Sequence, residues 1–210
     1  MMPSSRMNIL AIGPHPDDIE FGCGGTLIKY AQQNHKVFLL IMTAGGEGGS
    51  VDLRMKEQEE ANRIIGVEKL FWGGYKDTHL KVNKEVIGKI ESVIRKLNPD
   101  YIFCNYPEDT HQDHRHATQC VVSATRYIRN VIYFEGPTTQ NFQPNIFVSI
   151  GDIINRKLEA LMAHESQVMK TNIEDMSIVE QAVSTANFRG IQGRVKYAEA
   201  FNSLRLFIDI

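Results

Sequence analysis

An uncharged run rich in isoleucine and leucine, residues 7–12, breaks off into Gly13-Pro14-His15-Pro16-Asp17-Asp18. Such a run is the pattern of a strand covered on both faces. Gly13, Pro14 and Pro16 stop it, since proline has no N–H to give to a ladder. One histidine and two acids are therefore fixed in a stiff turn at the carboxyl end of a buried strand. Open α/β sheets bind their ligands at that edge.

His15 and Asp18 offer an imidazole nitrogen and a carboxylate, both suited to Zn²⁺. Asp17 lies beside a ligand but cannot share its direction, which leaves it free to act as a base. The plainer alternative is a proline turn whose aspartates cap the next helix. A second cluster weighs against it. Glu108, Asp109, His111, Asp113, His114 and His116 follow another strand-like run, residues 101–104, and open a helical pattern near His114. Two polar clusters at strand ends can converge on one metal. Spacing alone does not decide which histidines bind it.

The rest of the chain alternates strand and helix. Strands are expected at 36–42, 69–72, 101–104, 131–134 and 145–150. Helices are expected at 26–34, 53–65, 84–97, 117–128 and from Asp152 to His164, with a last helix at 174–188 and a last strand at 200–208. That order predicts a Rossmann-like α/β fold, a mostly parallel sheet with helices on both faces. At 210 residues one domain is favoured, residues 7–210 after a tail of residues 1–6.

Gly22-Cys23-Gly24-Gly25 invites a dinucleotide reading, but Leu27 occupies the third glycine position and no acid ends the second strand. The glycines are instead expected to let the backbone pass close to the proline turn. No G-x-S-x-G elbow supports a serine nucleophile. A formal charge of −2 gives no reason to expect nucleic acid or an anionic membrane as partner. Residues 1–6 are too short and polar for a signal peptide, and no apolar run reaches membrane-spanning length. Three scattered cysteines form no C-x-x-C pair, and reduced thiols suit a cytoplasmic location.

The motifs Pro14-His15-Pro16-Asp17-Asp18 and His111-Gln112-Asp113-His114 resemble those of the LmbE-like, or PIG-L-like, zinc-dependent N-acetylglucosaminyl deacetylases. The resemblance extends through Arg54-Met55-Lys56-Glu57, His164-Glu165-Ser166-Gln167 and Tyr197-Ala198-Glu199-Ala200-Phe201. It implies one zinc, or another divalent transition metal, per chain, held by His15, Asp18 and His114, with Asp17 as base and His111 as a charged partner. It also implies that Arg54, in the first turn after the glycine-rich loop 43–50, faces the substrate.

Two histidines and one carboxylate, with the fourth position left to water, is the ligand set of a hydrolytic site rather than a structural one. His111, paired with Asp113, is then expected to be held protonated, to stabilise an oxyanion and protonate a leaving amine. His116 is expected at the surface, and His164 as a cap favourable to a helix dipole. The activity implied is removal of acetyl from a 2-acetamido sugar conjugate, a small molecule. Two alternatives stay open: a related metal amidase cutting a non-sugar amide, and a non-catalytic sugar-nucleotide-binding module. The aglycone and any homo-oligomer are left open.

Overall fold

The structure, a computed structural model, describes residues 6–208. The expected tail lies outside these residues except for Arg6, whose side chain donates to the Asn34 carbonyl at 2.8 Å. Strand β1 (Asn8–Gly13) is buried from its second residue onward. It pairs in parallel with β2 (Lys36–Thr43) on one side and β4 (Tyr101–Asn105) on the other. β3 (Lys69–Tyr75) adds to β2, and β5 (Val131–Phe134) adds to β4, also in parallel. β7 (Ala198–Arg205) runs against β5 and carries β6 (Ile146–Ser149) at the far edge, so the order is β3-β2-β1-β4-β5-β7-β6.

Alternate residues of the central strands feed two cores. Ile9, Ala11, Val37, Leu39 and Ile41 pack under α1 (Asp18–Gln32), α2 (Val51–Ile65) and α5 (Ile154–Met162). Leu10, Ile12, Phe38, Leu40 and Met42 pack under α3 (Lys84–Leu97) and α4 (Gln112–Ala124). This is the sheet with two covered faces that the apolar runs predict. A last helix, α6 (Ile178–Gly193), starts at Ser177 in a reciprocal capping box with Glu180. Its bounds and those of β7 lie a few residues from the expected ones.

The glycine cluster departs from expectation. Residues 22–25 are not a loop before a helix at 26; they lie inside α1, which begins at Asp18. A Cβ at Gly22 would collide with the Phe134 ring, and one at Gly25 would press on Ile150, Ile153 and Glu199. Glu199 accepts the N–H groups of Gly25 and Thr26 at 2.8 and 2.7 Å, while Lys157 bonds both Glu199 and the Phe21 carbonyl. A buried ion pair is thus seated on one step of the helix ladder, where only a bare backbone leaves room. Gly22 and Gly25 serve close packing against Phe134 of β5 and Glu199 of β7, and their helix cost is overridden by tertiary contact.

Candidate active site

β1 and β4 are neighbours whose chains leave in opposite directions across the sheet, β1 toward β2 and β4 toward β5. The crevice at their carboxyl ends is the topological switch point. β1 delivers the turn at 13–18 into it, and β4 delivers the loop that starts α4. Together they wall a cavity of about 300 Å³ lined by His15, Asp17, Asp18, Arg54, His111 and His114. Gln167, Lys170 and Thr138 stand on its rim.

Asp18 joins the two histidines that bracket it. Its Oδ2 lies 3.2 Å from His15 Nδ1, and its Oδ1 lies 3.2 Å from His114 Nε2. The far nitrogens also face acids: His15 Nε2 is 3.0 Å from Asp77 and 3.4 Å from Asp113, and His114 Nδ1 is 3.1 Å from Asp109. His111 completes the group, its ring centroid 4.7 Å from those of both other histidines. Burial opposes charge on His15 and His114, yet the surrounding carboxylates raise both, His114 to about 9.

The donor chemistry fits a divalent cation. Nitrogens of His15, His111 and His114 lie within 4.8 Å of one another, and Asp18 brings a carboxylate oxygen to 3.2 Å from each of His15 and His114. Asp77, Asp113 and Asp109 sit where a ligating imidazole gives its other N–H to a carboxylate, fixing ring and tautomer. His15, Asp77 and Asp113 form a second close group. It shares His15 with the first, so a single imidazole orients toward both.

Asp17 occupies the N-cap position of α1 but makes no capping bond, and its backbone is left-handed, φ 91° and ψ −28°. This conformation is costly for a residue with a Cβ and directs the carboxylate to the cavity rather than to the helix. Desolvation, then the neighbouring Asp18, raises its pKa to about 6, against a lowering by Arg54. The alternative of an aspartate cap therefore fails for Asp17.

Arg54 lines the cavity but is buried. It is only 5% exposed. Its guanidinium donates to the carbonyls of Gly45 and Pro16, each at 2.8 Å, and to Asp17 Oδ2 at 3.2 Å. It touches the cavity while bracing two of its walls.

The His111–Asp113 pairing also differs. The Asp113 carboxylate turns to His15 and to the Thr78 N–H, at 2.8 Å, because its place in the first turn of α4 points it away from His111. What reaches His111 is the Asp113 backbone N–H, donated to Nδ1 at 3.2 Å as an N-cap bond. Burial, then His15 and His114, lowers the His111 pKa, so a lasting imidazolium is disfavoured. His116 is half-buried rather than at the surface, with Nδ1 2.7 Å from the Leu80 carbonyl oxygen. His164 is fully buried beyond the end of α5, its Nε2 3.8 Å from Glu20. Asp77 and Asp109 were not singled out by sequence; only Asp109 carried a signal, as part of the acidic and histidine cluster.

Residues 10–125 match the family described as PIG-L, GlcNAc-PI de-N-acetylase. The chain belongs to the PIG-L family. The protein named uncharacterized deacetylase YaiS of Escherichia coli (strain K12) is 34% identical over 174 residues, covering 78% of this chain and 93% of that one. The diacetylchitobiose deacetylase of Thermococcus kodakarensis is 32% identical, covering 76% of this chain and 69% of its own. The solved N,N'-diacetylchitobiose deacetylase of Pyrococcus horikoshii superposes with a TM-score of 0.84 at 27% identity, over 95% of this chain and 84% of that one. The PIG-L match ends at the close of α4, so it contains both site clusters and the parallel strands β1–β4.

Among the described residues no helix is long and apolar enough to cross a membrane. All three cysteines are free and buried, and burial raises the Cys23 and Cys104 thiols far above their usual range.

Proposed function

We propose that the chain is a metal-dependent hydrolase that removes the acetyl group from a 2-acetamido sugar conjugate. The observation that carries this reading is Asp17, a carboxylate freed from capping and set beside a histidine and aspartate group fit for a cation. The deacetylase relatives support the acetyl group and the sugar.

His15, Asp18 and His114 would hold the ion. A divalent cation there supplies Lewis acidity, which polarises the scissile carbonyl and eases deprotonation of water. Asp17 takes that proton: a pKa raised to about 6 leaves it ionised near neutrality yet basic enough to act. The same group, once protonated, is placed to hand the proton to the departing amine. His111 accepts a backbone N–H at Nδ1, which leaves Nε2–H as its donor. Neutral, it stabilises charge on the acetyl oxygen. Arg54 holds Asp17 and the Pro16 carbonyl in register throughout.

The test is metal analysis coupled to acetate release from a panel of N-acetylated sugars. Asp17→Asn should keep its metal while turnover falls by ~10²–10⁴-fold. Metal-loaded protein that frees no acetate from any N-acetylated sugar would overturn the reading.

A further inference from the structure

A second cavity, of about 440 Å³, opens between the end of β3 and the start of α2. That size lies within the range of small-molecule sites, about 300–1,000 Å³. It shares Glu47 and Asp77 with the catalytic cavity. Those two residues are joined, the Glu47 N–H donating to Asp77 Oδ2 at 3.0 Å. The wall between the cavities is therefore the short 3₁₀ turn Gly46–Gly48, tied to Asp77 on one side and, through the Gly48 carbonyl, to Gln167 and Lys170 on the other. Gly46 and Glu47 are exposed, so a ligand can lie across the turn without displacing a buried side chain.

The two linings differ in kind. Histidines, aspartates and Arg54 wall the first cavity, whereas Val51, Met55, Trp72 and Tyr75 face the second. Val51 is 43% exposed, and Trp72 is half-buried. Apolar and aromatic surface left open in a concavity, next to a polar site, is surface suited to an apolar part of the same ligand.

We propose that this groove is an aglycone subsite that receives an apolar or aromatic group attached to the sugar, held against Trp72. The proposal rests on the deacetylase reading of the neighbouring cavity and narrows its substrates to conjugates with such an aglycone.

Trp72 is the chain's one tryptophan, so its emission reports the groove without any need for turnover. The probes are the methyl, phenyl and octyl glycosides of N-acetylglucosamine, added to the full-length metal-loaded protein. Phenyl and octyl glycosides should shift the emission to saturation, and the methyl glycoside should not. KM for the octyl glycoside should lie about tenfold below that for the methyl glycoside. Trp72→Ala should erase that difference. Trp72→Phe, which keeps an aromatic face and the packing under β3, should retain part of it.

Equal KM values for the three glycosides would overturn the proposal, as would a Trp72→Ala variant, folded by its melting temperature, that weakens all three alike. Emission that answers to protein dilution rather than to glycoside would overturn it in favour of a second copy covering the groove. Saturable emission with no acetate released would sustain the subsite and sink the deacetylase reading. Acetate release with no emission change would do the reverse.

Discussion

The Arg54 guanidinium fills the space that a side chain at Gly45 would need. Its Nη1 bonds the Gly45 carbonyl at 2.8 Å, and a Cβ built at Gly45 would run into Nη1 and Cζ. Gly45 also has φ 66°, a conformation that disfavours any other residue by about 1–2 kcal/mol. Gly45→Ala is expected to lower both melting temperature and activity. Adding Arg54→Ala removes the clash, so the double variant should lose less than the sum of the singles. A double-mutant cycle checks this; strict additivity would show that the two residues do not meet.

Arg54→Ala is expected to cost stability as well as turnover, because a buried cation that braces two carbonyls and an acid is lost. A loss of about 3 kcal/mol corresponds to a drop of ~6–12 °C in melting temperature for a chain of this size. Arg54→Lys should recover only part, since one ammonium cannot span the Gly45 and Pro16 carbonyls as a planar fork does. A variant melting with the wild type would mean that the side chain only grips substrate.

Asp18 and His111 are the two candidates for a third ligand in the ion site proposed at His15 and His114. The carboxylate of Asp18 reaches both histidines, while His111 Nδ1 is occupied by a backbone N–H. Asp18→Ala should therefore abolish metal binding, and His111→Ala should keep the metal but slow turnover. Elemental analysis of the two purified variants decides it, and metal lost equally from both would put His111 among the ligands.

Burial alone would lower the His164 pKa, but the Glu20 carboxylate outweighs it and Asp17 adds to the rise, so the folded value exceeds 6.5. The folded state then holds a proton more tightly than the unfolded chain. The stability this contributes is whole below 6.5 and is lost as pH rises through the folded pKa. His164→Gln should flatten the decline of melting temperature above 6.5. An unchanged slope would show that the pair does not titrate.

What was legible in the sequence was chemistry that is contiguous in it. His15 to Asp18 and His111 to His114 sit beside proline and strand signals, so their place at the sheet edge follows from local pattern. The central strands were equally plain, being apolar throughout. Asp77 was invisible because its meaning lies in facing His15 across space, from a loop after an edge strand. Asp113 was assigned to the wrong histidine because nearness in sequence ignores where the first turn of a helix directs a side chain. The burial of Arg54 was not legible for a related reason: the charged pattern of α2 hides which face turns inward. The glycines of α1 looked like a loop because Phe134 and Glu199, which require them, lie more than a hundred residues on.

Glu199 has a consequence for how the chain comes into being. Every side chain that lines the site cavity precedes residue 182, and the two histidine and acid clusters precede residue 117. Yet the helix that begins at Asp18 is fastened by a carboxylate from the last strand, across a separation of 174 residues. A ribosome that has released the whole site has not yet released the residue that anchors its first helix. The site therefore takes its final form only after Glu199 has emerged and a contact between residues 174 positions apart has closed.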